Sequence, residues 1–503
     1  MSVSILDAID DANLFGPWFK DRATWAAWRS FLCALFGLPM TPEQLATYRH
    51  CTGRKTPPAA PFTEVWVPVG RRGGKSFVEA LIAVFLACFR DYSDYLAPGE
   101  RATVLIVAAD RKQSRVVLRY VSALLKGVAM LSRMIERETA ESFDLTNRVT
   151  IEVGTASYRS TRGYTYAAVL GDELAFWRSE DSASPDYEVL AAVRPGMATI
   201  PNAVLLCVSS PYARRGALHD AYQRHYGKDD SAVLVWKAPT RVMNPTVPQS
   251  VIDEAMERDP AAAGAEYMAE FRSDIESFIS LEAVRACVET GEFERQARRE
   301  RRYFGFVDPS GGSADSFTMA IAHKTGDTAI LDLVREVSPP FSPEAVCEEF
   351  ADILKGYRIT KVGGDHYAGE WPREQFRKFG INYEPSAESR SELYGALLPL
   401  INSRCVDLLD NNKLVNQLTC LERRTSRNGK DSIDHPPGGH DDVANAAAGA
   451  LCRAWKVAPE WRRDRSNQQP MTANLGGRQL ICGHKVTNDW VDISHKVQTT
   501  GRF

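Results

Sequence analysis

The sequence predicts two α/β domains in series, the first built on a largely parallel sheet and the second on a mixed one, followed by a polar tail. Three observations lead there. Short β-branched runs alternate with helical stretches through the first half of the chain, the rhythm of a parallel sheet with crossover helices. After a charge-rich connection ending in ERQARRERR, three strands follow one another directly before strand-helix alternation resumes. A chain of 503 residues is also too long for a single core.

In the first block, EVWVPV (64–69) reads as a buried strand, followed by a glycine loop and a helix from Ser76. ATVLIVAAD (102–110) is a second strand, with a helix from Arg111 to Lys126 behind it. RVTIEV (148–153), AAVLGDE (167–173), NAVLLCVSS (202–210) and AVLVWKAP (232–239) supply further strands. Ligands of such sheets bind at the carboxyl ends of the strands. The stretch from Phe271 to Arg302 reads as a helical, charged connection. The second block begins at RRYFGFVDPSGG, with strands at 303–308, 317–323 and 328–335, then a helix, then ITKVGGDH (359–366), and a last helix after HDD at 440–442. A meander followed by strand-helix alternation is the order of a ribonuclease-H-like sheet. The boundaries expected are 1–60 for an N-terminal segment, 61–274 for the first domain, 275–302 for a linker, 303–458 for the second domain and 459–503 for a mobile tail with a local excess of basic residues.

Composition narrows the function. With 44% hydrophobic and 25% charged residues the chain is ordinary globular protein, and a formal net charge of −3 leaves any nucleic-acid surface to a local patch. Ten cysteines lack C-x-x-C spacing, and Cys88 and Cys207 lie in apolar runs, which predicts a reducing compartment and no zinc site. MSVSILDAIDDANLF lacks the basic-then-apolar order of a signal peptide, and the most apolar stretch, 77–89, is too short to span a bilayer. A cytosolic protein without a membrane partner is expected.

The stretch VPVGRRGGKS (67–76) carries chemistry. It ends in the Gly-Lys-Ser of a phosphate loop, but the pattern G-x-x-x-x-G-K-[ST] wants glycine where Val69 stands, and Gly70 comes one place late. Placed between a buried strand and a buried helix, the N–H groups of Gly73, Gly74, Lys75 and Ser76 can face a phosphate along the positive end of the helix dipole, with Lys75 on the β/γ-phosphates and Ser76 on Mg²⁺. AAVLGDE ends a strand in Asp172, suited to the Mg²⁺ shell, and Glu173, suited to orienting the attacking water. Glycines also make plain strand-to-helix turns, but a lysine at a buried helix start has no role in such a turn.

The second block places Asp308 and Asp365 at strand ends and Asp441 and Asp442 at a helix start. Carboxylates so placed can hold two Mg²⁺ or Mn²⁺ ions about 4 Å apart, one activating water and one stabilising a leaving 3′ oxygen. Each acid alone reads as a turn or cap; together they read as a nuclease centre. Of the HDD pair Asp442 is favoured as ligand, with Asp441 capping the helix or adding a second ligand, while His366 and His440 flank the acids. Arg423, Arg424, Arg427 and Lys430 surround an Asn428-Gly429 turn, a hairpin signal whose basic flanks suit either DNA phosphates or plain solvent.

In motif order these residues resemble the large terminase subunit of tailed double-stranded-DNA bacteriophages, over roughly residues 20–455. Arg71, four before the lysine, is part of that resemblance, as are Arg162-Gly163 before the acidic strand and VSSPYARRG with its coupling serines Ser209 and Ser210. The resemblance implies a P-loop ATPase domain, with Gly70, Arg71, Arg72, Gly73, Gly74, Lys75 and Ser76 around the nucleotide and Gln44 and Tyr48 near its base, joined to a ribonuclease-H-like nuclease. It further implies ATP-driven translocation of double-stranded DNA into a procapsid and cutting of concatemers. The implied partners are a small terminase subunit, a portal protein engaged by the C-terminal tail, and copies of the chain in a ring, in the host cytoplasm and transiently at the portal vertex. Two other readings fit the same motifs: a helicase-nuclease of repair, and a nucleotide-switched assembly subunit with an inactive nuclease.

Overall fold

The computed structural model describes residues 3–156, 163–177, 184–312, 315–365, 370–425 and 431–456. Arg162, His366, Arg427, Asn428, Gly429, Lys430 and the tail expected at 459–503 lie outside them. Residues Met1–Val457 form one compact unit.

The first sheet has eight strands: β1 (Glu64–Pro68), β2 (Ala102–Ala108), β3 (Ile135–Glu138), β4 (Ser142–Leu145), β5 (Val149–Thr155), β6 (Thr165–Asp172), β7 (Val204–Ser209) and β8 (Val233–Val235), in the order β3-β4-β5-β2-β6-β7-β1-β8. From β5 to β8 every pair is parallel, and β3 and β4 add an antiparallel edge. The apolar run read from the sequence is the helix Lys75–Phe89, whose buried residues run almost without break from Val78 to Ala87. Burial on nearly all sides explains why its sequence shows no polar stripe. Because β7 lies between β1 and β6, its carboxyl end brings Ser209 and Ser210 between the lysine loop after β1 and the acids that end β6.

The second sheet comprises β10 (Tyr303–Asp308), β11 (Phe317–Thr325), β12 (Thr328–Val337), β13 (Lys361–Gly364), β14 (Asn382–Pro385) and β15 (Val406–Asp407), ordered β14-β13-β10-β11-β12-β15. β10 to β12 form an antiparallel meander, while β13, β14 and β15 run parallel to their neighbours. This is the mixed sheet the strand order predicts. The helix Asp442–Trp455 crosses it closely: a Cβ on Gly449 would fall 2.2 Å from the Phe306 ring, so its alanine- and glycine-rich face lets the helix settle onto β10 and β11. That settling sets Asp442 above Asp308.

The expected helical connection after Phe271 is different in structure. It contains the strand β9 (Ile275–Ser277) and a five-residue helix, Leu281–Arg285, and residues 286–302 form neither helix nor strand apart from an isolated bridge at Val288. Without apolar periodicity a charged run has no face to bury as a helix. It is held instead by arginines: Arg295 pairs with Glu289 (2.7 Å) and Asp407 (3.0 Å), and Arg301 donates to the buried His323.

β9 belongs to a third sheet, ordered β17-β16-β9, with β16 (Glu422–Thr425) and β17 (Asp431–Asp434) forming the predicted basic hairpin. Glu422 has no solvent exposure and accepts from Tyr212 Oη at 2.7 Å, from Arg424 Nη2 at 3.1 Å and from Arg215. Tyr212 and Arg215 come shortly after Ser209-Ser210, so one short segment touches both the carboxyl edge of the first sheet and the hairpin.

Candidate active sites

Two clusters of acids and basic groups lie at the carboxyl ends of the two sheets. In the first, the loop Gly70–Gly74 leads into the helix at Lys75, with Gly74 in the left-handed region (φ 92°). The missing glycine at 69 has a structural reason. Val69 is fully buried, its N–H donates to Ser209 O (3.0 Å), and its carbonyl accepts from Lys75 Nζ (3.0 Å). The close approach falls one residue later, where a Cβ on Gly70 would meet Thr240 Oγ1 at 2.3 Å. Arg72 takes the positive φ (63°), and its carbonyl is fixed by Asn244 Nδ2 at 2.8 Å.

Lys75 is buried and spends its ammonium on Val69 O, on Ser210 Oγ (2.9 Å) and on Glu173 Oε1 (3.3 Å). Ser76 Oγ donates to Asp172 Oδ2 at 3.0 Å, as does Gln113 Nε2 at 3.0 Å. Glu173 sits just past β6 at φ 49° and accepts from Ser210 N (3.0 Å) and Ser209 Oγ (3.2 Å). Lys75, Glu173, Ser209 and Ser210 thus form one bonded set, and Ser76, Asp172 and Gln113 a second beside it. Burial, with Glu173 alongside, raises Asp172 to about 6 against the opposing Gln113 and Lys75, and its Oδ1 has no hydrogen-bond partner. A buried, half-satisfied carboxylate beside a serine hydroxyl is a fitting donor set for Mg²⁺. Gly73 differs from expectation, since its N–H closes onto Gly70 O (3.1 Å), leaving the first-turn N–H groups of Lys75 and Ser76 for a phosphate.

Arg71 pairs with Glu266 (3.1 Å) on the surface. Gln44 Oε1 accepts from Thr41 N in a capping box, and Tyr48 is fully buried 6.5 Å from the Trp236 ring, so the tyrosine is core rather than a surface for a base. Two neighbours were missed by sequence reasoning. Trp28 Nε1 donates to Gly73 O at 2.7 Å and holds the loop from behind. Glu79, one turn past Lys75, is buried with both oxygens unpartnered and is pushed well above the usual carboxylate range by burial and by Asp172. A lone acid inside FVEALIAVF was its signal.

In the second cluster, Asp308 ends β10, Asp365 lies just past β13 and Asp442 opens the last helix, all lining a cleft of about 360 Å³ with Asp315 and Arg390. Asn445, one turn beyond Asp442, donates to Asp308 Oδ2 (2.8 Å) and reaches Asp365 Oδ2 (3.4 Å), while its own Oδ1 is buried without a partner. It too was unread, though it is a lone amide on an alanine-rich helix. Burial, together with Asp442 and Asp365 and against the Asn445 hydrogen bond, lifts Asp308 to about 8; burial and Asp441 lift Asp442 to about 6. Acids held this far up by burial and mutual repulsion suit a divalent cation.

Asp441 turns away from these acids. It makes no side-chain cap; Arg390 Nη1 bonds its Oδ1 (2.7 Å) and Tyr394 Oη its Oδ2 (2.9 Å), so its charge is already matched. Among the described residues, the acidic and histidine side chains that close within 4.8 Å as a set are Asp434, His435 and Asp441, and there the Arg390 guanidinium supplies the positive charge. His440 Nδ1 stands 4.0 Å from Asp442 and 3.9 Å from Asp315. On the hairpin, Arg423 lies 3.6 Å from Asp431 and over the Phe278 ring, and Arg424 is bound to Glu422, so both already have partners.

No protein-family model matches the chain, and no curated protein does. Solved structures do. The chain is similar to large terminases. The crystal structure of the HK97 bacteriophage large terminase is 15% identical, over 85% of this chain and 99% of that one, at a TM-score of 0.36. The large terminase of a thermophilic bacteriophage in complex with ADP is 11% identical, over 82% and 98%, at a TM-score of 0.37. The large terminase nuclease of thermophilic phage G20c with bound magnesium is 15% identical, over 35% and 98%, at 0.31. At such identities and scores, the residues of the two centres carry the functional conclusion on their own.

Proposed function

We propose that the chain is a DNA-packaging motor, an ATPase that translocates double-stranded DNA and a metal-dependent endonuclease that cuts it. One observation carries this reading: a phosphate loop wired to a strand-end acid pair and a separate acid cleft on a mixed sheet occur in the same compact unit. At the first centre Lys75 and the first-turn N–H groups bind the β/γ-phosphates, Ser76 and Asp172 hold Mg²⁺, and Glu173 orients water. Arg71, Arg72 and Gln44 line the nucleotide, and Ser209 and Ser210 couple Glu173 to the segment that carries Tyr212 and Arg215.

At the second centre Asp308, Asp365 and Asp442 hold the divalent ions, whose chemistry is to make water nucleophilic and to stabilise the leaving oxygen. Asn445 keeps Asp308 and Asp365 facing one another. Double-stranded DNA, a small terminase subunit, a portal protein and further copies of the chain are the partners proposed, with work in the host cytoplasm and at the procapsid vertex. No helix among the described residues is long and apolar enough to cross a membrane.

The deciding experiment pairs two assays on the purified chain: nicking of plasmid DNA with Mn²⁺, abolished by EDTA, and DNA-stimulated phosphate release from ATP. Phosphate release without cutting would favour the assembly subunit with an inactive nuclease. Strand separation would favour the helicase-nuclease.

A further inference from the structure

Among the described residues, Arg390 is the cation lining a cleft otherwise edged by Asp308, Asp315, Asp365 and Asp442. A cleft of that charge repels the polyanion it is proposed to cut, and divalent ions held by the acids offset the charge only where they sit. Arg390 lies at the start of the helix Arg390–Asn402, whose capping box from Ser389 to Glu392 fixes its backbone. Its side chain is 37% exposed, and one nitrogen, Nη1, bonds the almost fully buried Asp441, which Tyr394 holds from the other side. Asp434, at 4.0 Å, is beyond hydrogen-bond reach. A guanidinium has five N–H donors in a rigid fork, so one anchoring bond leaves donors for an acceptor in the cleft.

We propose that Arg390 binds a non-bridging phosphate oxygen of the DNA strand beside the bond to be cut, with Asp441 and Tyr394 as the residues that aim it. The inference rests on the nuclease reading of the same cleft. It gives Asp441 a use other than metal ligation: its charge holds a phosphate receptor rather than an ion.

The test uses the full chain with Mn²⁺ and a duplex oligonucleotide containing one cut site. Single methylphosphonates, which remove one phosphate charge, are placed in turn at positions flanking the cut. With the native chain, one flanking position should raise KM about ten- to hundredfold, the size of one charge-assisted hydrogen bond. Arg390→Lys keeps a charge beside Asp441 but loses the fork; it should raise KM similarly on unmodified DNA with kcat and the Mn²⁺ midpoint little changed, and should gain no further loss at that methylphosphonate. The double variant Arg390→Gln with Asp441→Asn removes both charges together and should behave alike, with melting and ATP hydrolysis reporting its fold. No sensitive position in the native chain, or additive losses in Arg390→Lys, overturns the proposal while cutting itself stands. A native chain that does not cut at all overturns the nuclease reading and the proposal with it.

Discussion

Lys75 Nζ lies 3.3 Å from Glu173 Oε1, so the loop lysine and the strand-end acid neutralise one another across the edge of the first sheet. On the proposed reading, a bound nucleotide phosphate would compete for that lysine and release Glu173 towards water. Glu173→Gln should bind ATP yet turn it over at least about a hundredfold more slowly. Lys75→Ala should abolish DNA-stimulated turnover, and Arg71→Ala, which loses only a surface pair with Glu266, should lower turnover without loss of fold. Phosphate release with filter binding of ATP checks all three, and unchanged hydrolysis in Glu173→Gln removes its assigned role.

The two chemistries should separate. Asp308→Ala is expected to end plasmid cutting with ATP hydrolysis retained, and Lys75→Ala to do the reverse in a nicking assay without ATP. Both variants are run through both assays; an Asp308→Ala protein that is folded but hydrolyses no ATP contradicts the two-centre arrangement.

Asp308 sets a pH dependence for the metal-free protein. Its folded pKa of about 8 stands above the unfolded value of about 3.9, so the folded state keeps a proton that the unfolded chain has already released. Its contribution to stability is full below about pH 4 and is lost as pH rises through about 8. The melting temperature of native chain minus that of Asp308→Asn should therefore fall as pH rises from about 5 to about 8 in EDTA. Mg²⁺ should reverse the fall, with the larger gain at the alkaline end, where the acids are free of protons. A flat difference with and without metal removes the cation from this cleft.

Neutralising Arg423, Arg424, Arg427 and Lys430 together should weaken DNA binding and flatten its salt dependence by up to about four phosphate contacts, without sequence preference. Because Arg424 is held by Glu422 and the His435 carbonyl, its removal alone should cost stability in addition to its share of the salt slope. Binding titrations across salt concentration read both; an unaltered slope in the fourfold variant returns the hairpin to solvent.

What the sequence disclosed was whatever is local along the chain. Lys75 and Ser76 are adjacent at one helix start, Asp172 and Glu173 are adjacent at one strand end, and the alternation of strands around them forces the two pairs to one sheet edge. The acids of the second sheet were readable for the same reason, as strand ends in a recognisable order. Residues that act across long separations were not. Trp28 reaches Gly73 from an N-terminal helix, and Arg390 reaches Asp441 through tertiary packing with no pattern to announce it. Asp441 was legible only as a cap or a second ligand beside the favoured Asp442, because its bonds to Arg390 and Tyr394 come from a helix distant in sequence. The charged run before residue 303 failed as a helix because it has no apolar stripe to bury, and Arg295 is tied both to Glu289 within the run and to Asp407 on β15.

The burial of Glu422 bears on how the chain melts. Its carboxylate is reached by Tyr212 and Arg215 from the segment after β7, and by Arg424 from its own hairpin. Prising the first sheet away from the hairpin would leave that buried carboxylate with Arg424 as its remaining partner, at roughly 2 kcal/mol once the one-third exposure of the arginines is allowed for. Calorimetry should accordingly record one endotherm for both sheets, so that heat sees a single body where chemistry sees two. Glu422→Ala is expected to resolve that endotherm into two, the earlier of which leaves the other sheet folded; two endotherms in the unaltered chain would show the carboxylate to be no tie at all.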